Sequence, residues 1–573
     1  MKNYQIDQNK KNHFKFSLQN FKAFQKSQNI EIKPLTIISG LNNCGKSSIL
    51  QSFLLLSQTL IESKDYKKIP SYELASFIPE EKKKYKTALL FEGSYTHLSH
   101  YGNIINKYAK SNEFSFKMNF KEDFQFEIAF FNPFTEKMIK AFVKSFKISN
   151  KDYNFLVKSK LDEELNIKSY NCTISEMSFK FFIHHCPLIY TSSLLSKLED
   201  DFKEKILEKP LVIENLHVFF NNFIPNRLVV SRGDFFKTIK NIFEGFGIDF
   251  EKSTNYVDMI KEEMGFIYRM DKRREYNDFI ECLTLFNFKE QNLIEDIFRN
   301  LRYIGPLREE PRRYYKFDEI REFNIGIKGE YAPQILTLYG DSKIPNFKII
   351  KEVNGRIEFQ PITIEKLKKN GDLEFENDKE YLDLNLGLSI WSKYSYIPKF
   401  STRRIEQLLS KIMVESTDSN KYYSLQDVGF GISQIFPIFI ESLRMDKGNI
   451  LVLEQPEIHL HPNMQAKLAD FLLSMAVSGK KFIIETHSEH LINRICLRIA
   501  QDFKNELNEL ISLNFVEQKS PEYTGARIEK IELNKYGEIL NWPIGFLDMT
   551  DNRKILKAGI EKRQKERRSD KND

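Results

Sequence analysis

The sequence predicts an α/β fold in which a mixed sheet is flanked by helices and the chain carries an inserted, mainly helical segment. Three observations lead there. Leu35 to Ile38 reads as a short buried strand, followed at once by Gly40-Leu41-Asn42-Asn43-Cys44-Gly45-Lys46-Ser47 and by a helix whose apolar face is Ile49, Leu50, Phe53, Leu54 and Leu60. Two more short apolar runs, Ile450 to Leu453 and Phe482 to Ile484, end in Glu454-Gln455-Pro456-Glu457 and Glu485-Thr486-His487-Ser488, which places polar side chains at strand carboxyl ends, where α/β sheets take their ligands. Between the first strand and the later pair lies a long segment with a different pattern.

The glycine-rich loop fits G-x-x-x-x-G-K-[ST] at every fixed position and sits between strand and helix, the context that motif requires. It predicts a phosphate cradle. The main-chain N–H groups of Gly40, Asn42, Asn43, Cys44 and Gly45 and the helix start at Ser47 and Ser48 surround a triphosphate, Lys46 reaches its outer oxygens, and the Ser47 hydroxyl ligates Mg²⁺. A nucleoside triphosphate and Mg²⁺ are the expected ligands. Cys44 is read as a neutral residue tolerated in the cradle rather than a redox sensor.

Length and composition bound the rest. At 573 residues the chain exceeds one ordinary core, so two structural units are expected. The balance of 86 basic against 79 acidic residues leaves +7, too small for this length to indicate nucleic acid by itself. Five cysteines without paired metal spacing suit a reducing compartment. Met1 to Lys11 is polar and no apolar run approaches the ~18 residues of a membrane span, so a cytoplasmic chain without a membrane partner is expected.

In chain order, Phe14, Phe16 and Leu18 alternate with polar residues and give a strand of an edge hairpin. Phe24 beside it reads as core, with adenine stacking as the lesser alternative. Phe114 to Phe120 and Phe124 to Phe130 alternate around Lys121-Glu122-Asp123 as a long hairpin. From Leu194 to Leu301 the pattern reads as helical, with Phe235, Phe236, Ile239, Ile242 and Phe243 on one face and Leu293, Ile294, Ile297 and Phe298 on another. The expected boundaries are 1–104 and 301–550 for the two parts of the nucleotide-binding head, 105–300 for the inserted hairpin and helical domain, and 551–573 for a basic tail. His184-His185-Cys186, with no second cluster at metal spacing, is read as ordinary packing. The arginines among aromatics from Tyr303 to Tyr315 face either solvent or phosphate, and Val353-Asn354-Gly355-Arg356 is a hairpin turn.

Ser424 to Gln434 is a glycine-rich turn opening a helix, the kind of helix start that offers free N–H groups to an anion. P-loop, this Gly/Ser signature, the acidic strand end with Pro-Glu, and the strand-end histidine, in that order, resemble the ABC-type head of AAA family ATPases related to SMC, RecF-like and OLD-like proteins. The likeness covers about residues 13–100 and 300–550. Glu454 to Pro462 and Gly537 to Phe546 resemble more particularly the ATPases of bacterial phage-defence operons, including ATPase subunits of Septu-type systems.

The resemblance implies roles residue by residue. Glu454 takes the metal-side acid position with Ser47; Gln455 stands where the family carries the glutamate that activates water; Glu457 is a substitute base; His487 contacts the γ-phosphate; Gly431 and Ser433 contact ATP across a head-to-head homodimer. His459-Leu460-His461, alternating after a strand-end Pro-Glu, is read as dimer-facing loop residues rather than a metal pair. Glutamine cannot accept a proton at neutral pH, so slow hydrolysis is expected. Glu517, Glu522, Glu529, Glu532, Glu538 and Asp548 show no strand-end Asp-x-Asp pattern, so no nuclease is expected in this chain, and the implied partner is a separate effector, a nuclease or toxin. A DNA-binding repair or recombination ATPase, or an ATP-binding scaffold with negligible turnover, stands as the alternative, with nucleic acid kept open as a partner.

Overall fold

The computed structural model describes residues 13–62, 88–120, 124–132, 141–161, 167–179, 181–182, 204–207, 209–249, 279–284, 288–316, 324–362, 364–367, 373–376, 381–395, 398–406, 409–415, 421–518, 525–543 and 545–546. His184-His185-Cys186 and the basic tail 551–573 lie outside them. The chain divides into two compact units, one of residues 1–32, 47–301 and 521–525, the other of residues 33–46, 302–520 and 526–573.

The first unit is built on a ten-stranded antiparallel sheet, in the order Phe279–Thr284, Ile224–Ser231, Leu211–Asn221, Ile167–Met177, Tyr153–Leu161, Phe142–Ser149, Gln125–Phe131, Glu113–Phe120, Phe14–Gln19, Gln28–Ile32. Period-two alternation sends Phe14, Phe16, Phe114, Phe116, Phe126 and Phe130 into the core, where Phe16 lies 4.4 Å from Phe53 of the helix Lys46–Glu62. Phe24 is also fully buried, as core. The anticipated long hairpin forms, with Phe114 opposite Phe130.

Two expectations change here. Among the described residues the segment 105–300 is mainly strand, not mainly helical: only Arg232–Gly245 and Phe288–Arg299 are long helices, those carrying Ile239, Ile242 and Phe243, and Ile294 and Phe298. The β-branched pairs Val212-Ile213 and Val229-Val230 flank a turn in which Asn222 takes a φ of +57°, and cross-strand pairing outweighs the local helical period. Nor is 105–300 a separate insert after a 1–104 head. Glu113–Phe120 pairs with Phe14–Gln19, so the segment continues the sheet begun by the amino-terminal strands, whose hairpin lies at the sheet edge with Gln28–Ile32 as the last strand.

The second unit holds a six-stranded sheet in the order Arg302–Ile304, Ile450–Glu454, Lys481–Glu485, Leu35–Gly40, Ile511–Gln518, Ala526–Ile531; the first five run parallel and the last antiparallel. Leu35, Ile37, Leu451, Leu453, Phe482 and Ile484 form one core with Ile435 and Phe439 of the helix Phe430–Arg444 and Phe471 and Leu472 of the helix Pro462–Val477. Lys480, wholly buried ahead of the Lys481–Glu485 strand, donates to the carbonyls of Ser442 and Leu443 at 2.6 and 2.8 Å. It closes the carboxyl end of Phe430–Arg444, and burial brings its pKa down to about 7. Asn354 and Gly355, at φ of +51° and +73°, make the anticipated hairpin turn between Lys348–Val353 and Arg356–Pro361. Among the described residues no helix is long and apolar enough to cross a membrane.

Candidate nucleotide site at the strand ends

The loop leaving Leu35–Gly40 is shaped by its glycines. Gly40 has a φ of +151°, and a Cβ there would lie 2.2 Å from the carbonyl oxygen of Val516 and 2.9 Å from Cys44 Sγ. Gly45 has a φ of +108° and Asn43 of +60°. Leu41, Asn42 and Asn43 are exposed at the tip, Cys44 is buried, and Ser47 and Ser48 open the helix. Lys46 is only 4% exposed; its Nζ donates to the main-chain oxygens of Gly40 and Leu41 at 3.2 and 2.6 Å. Burial raises the Cys44 thiol above its ordinary range, with the Lys46 charge opposing, which fits the neutral reading. Gly40→Ala should cost on the order of 2–4 kcal/mol, because any side chain meets backbone in a conformation reserved for glycine. Thermal unfolding with a nucleotide titration checks this, the expected outcome being loss of both stability and binding.

The sheet register sets the carboxylates. Glu454 ends its strand directly beside Glu485, the end of the neighbouring one, and its Oε1 accepts from the Tyr303 hydroxyl at 3.0 Å. Burial, then the Glu485 charge, pushes Glu454 up to about 7, opposed by the Tyr303 hydrogen bond. A divalent cation would reverse that penalty, so the Glu454 carboxylate is an oxygen donor that suits Mg²⁺. Among the described residues no group of three or more His, Cys, Asp or Glu side chains forms a metal cage of its own.

Gln455 follows in the left-handed region at a φ of +42°, its N–H bonded to the Glu485 carbonyl at 2.8 Å. Glu457 is 9% exposed and its Oε1 accepts from the His487 main-chain N–H at 2.7 Å. Burial raises its pKa, against the His487 N–H, the Thr486 hydroxyl and the Arg308 charge. Its expected place as a substitute base therefore meets a prior commitment: this carboxylate braces one strand end against the next. The His487 side chain is exposed, and its pKa is lowered by partial desolvation and by the Lys46 charge, so the two groups share one electrostatic environment.

The signature turn packs on the same loop. A Cβ on Gly431 would stand 2.7 Å from the His459 carbonyl, and the Phe430 and His459 rings meet edge to face at 4.9 Å. Ser433 is buried, its hydroxyl donating to Phe430 O at 2.6 Å, while Gly429 and Phe430 are exposed at the helix start. His461 Nδ1 accepts from Asn463 N at 3.3 Å as a helix cap. Tyr303 and Arg308 lie in the stretch read as facing solvent or phosphate, but Arg308 is buried against main-chain carbonyls instead. Glu485 escaped assignment from the sequence, and its signal was position, at the end of a short buried strand.

The family model for the AAA ATPase domain matches residues 14–492. Comparison with curated proteins gives no match. Among solved structures the chain is similar to the SMC head domain from Thermotoga maritima, at 9% identity over 91% of this chain and 98% of that one, with a TM-score of 0.34. It is similar too to an SmcHead bound to the C-winged helix domain of ScpA, at 10% identity over 91% and 98%, TM-score 0.31. An Smc head domain with an extended coiled coil bound to the C-terminal domain of ScpA derived from Pyrococcus furiosus matches at 9% over 95% and 98%, TM-score 0.30. With its P-loop lysine, acidic strand end and strand-end histidine gathered on one sheet, and with the family model spanning most of its length, the chain belongs to the AAA ATPase domain family.

Proposed function

We propose that this chain is an ABC-type ATPase that binds ATP with Mg²⁺, hydrolyses it slowly, pairs with a second copy in the ATP-bound state and thereby regulates a separate effector, a nuclease or toxin, in anti-phage defence. The observation that carries the slow switch is Gln455, an amide at the turn that follows the metal-side Glu454, where a fast enzyme needs a carboxylate. The resemblance of Glu454 to Pro462 and of Gly537 to Phe546 to phage-defence ATPases supports the biological setting.

Dimerisation would bring the exposed start of Phe430–Arg444 to the nucleotide of the other copy, with its free N–H groups facing the γ-phosphate. Because Ser433 is buried, a bulky residue there would disturb the fold as well as the interface. Gly429 is the cleaner probe: it is exposed and a Cβ on it meets nothing within 4 Å. Gly429→Arg is expected to fold normally and to lose ATP-dependent dimerisation. Light scattering with and without ATP checks this, and equal dimer fractions in variant and wild type count against the interface.

A second reading, contact with nucleic acid, is favoured by exposed basic and aromatic residues in and beside one small sheet. Arg403 lies opposite Lys411 in the sheet formed by Phe400–Glu406 and Leu409–Glu415, and Arg312, Arg313, Tyr314, Tyr422 and Tyr423 are exposed. Binding of single-stranded DNA that weakens steeply with salt would support it.

A further inference from the structure

We propose that Arg308 is a positioning residue for ATP hydrolysis, one that sets the geometry of the Glu454–Glu457 turn without touching the nucleotide. The inference rests on the ATPase reading above. Arg308 follows the strand Arg302–Ile304 and is 5% exposed, a rare placement for a guanidinium. Its Nη2 donates to the main-chain oxygens of Glu454 and Gln455 at 3.0 and 3.3 Å, the two carbonyls that flank the left-handed bend at Gln455. A non-glycine residue at such a φ costs on the order of 1 kcal/mol or more and persists only where its surroundings hold it. Arg308 is the side chain that does so.

The same guanidinium acts on Glu457. Its charge favours the ionised carboxylate, whose Oε1 holds the His487 N–H, and burial, which brings Arg308 down to about 10, leaves it a cation at neutral pH. Arg308 Nε and Nη1 and Glu457 Oε2 are buried without a hydrogen bond of good geometry, so neither group is anchored redundantly. One buried cation thus links the residue that faces the attacking water, Gln455, to the residue that fixes the histidine strand end. Misplacing a reacting group by ~1 Å costs about 10²-fold in rate.

The test compares wild type, Arg308→Met and Arg308→Lys in single-turnover ATP hydrolysis and in titration with a fluorescent ATP analogue, with thermal unfolding of each. Expected are ATP-analogue affinities within about threefold of wild type and a hydrolysis rate ~10- to 100-fold lower in Arg308→Met. Arg308→Lys keeps the cation but ends one bond short of the Nη2 position that bonds both carbonyls, so it should recover stability while its rate stays well below wild type. Should the methionine variant not fold, the lysine variant decides. Folded variants that hydrolyse at the wild-type rate overturn the proposal, and so does an equal loss of affinity and rate, which would put the guanidinium on the nucleotide. A wild-type chain that binds ATP without any turnover overturns the hydrolytic function, and this inference with it.

Discussion

Lys46→Ala is expected to lower ATP affinity by at least ~10²-fold, because it removes the single charged side chain from the loop Gly40–Ser47. The ammonium is held inside the loop by the carbonyls of Gly40 and Leu41, and in the ATPase reading proposed above it would meet the β- and γ-phosphates from there. Each charge-assisted hydrogen bond contributes about 1.5–3 kcal/mol, and a triphosphate takes more than one. Titration with a fluorescent nucleotide, beside thermal unfolding to confirm the fold, measures this. Unchanged affinity in a folded variant would falsify the role given to the loop.

Gln455→Glu is expected to speed hydrolysis by up to ~10²–10⁴-fold, the usual contribution of a general base. The two side chains have the same shape, so the left-handed bend and its hydrogen bond to the Glu485 carbonyl should survive. The new carboxylate would stand near Glu454 and Glu485, and like charges raise one another's pKa. A base whose pKa is raised is active only above that pKa, so the gain should grow as pH rises. Glu457→Gln keeps an acceptor oxygen for the His487 N–H and should change the rate by less than ~10-fold if Glu457 only braces the strand ends. Single-turnover hydrolysis on both variants separates the cases. An unchanged rate in Gln455→Glu with a vanished rate in Glu457→Gln would move the base to Glu457 and end the slow-switch reading.

Much of this was legible in the residues because it depends on short-range order. The phosphate loop declares itself through glycines whose φ values no other residue tolerates and through one lysine at fixed spacing. The strands Ile450–Glu454 and Lys481–Glu485 are visible as short apolar runs with acids at their ends, and Val353 to Arg356 as a turn whose conformation asparagine and glycine favour.

The tertiary structure decided what depends on pairing between distant segments. Residues 211–231 carry a pattern that one helix or two strands can satisfy, and the choice fell to their partners Ile167–Met177 and Phe279–Thr284. The same holds for the join of Glu113–Phe120 to Phe14–Gln19, which merged the supposed insert with the amino-terminal hairpin. At the site, the sequence marks Glu454 and Glu457 alike as acids after a strand. Only the parallel register, which sets Glu454 beside Glu485 and turns Glu457 onto the His487 N–H, gives them different environments. Arg308, 146 residues before Glu454, acts through main-chain carbonyls, and a carbonyl belongs to every residue, so no pattern of side chains announces it.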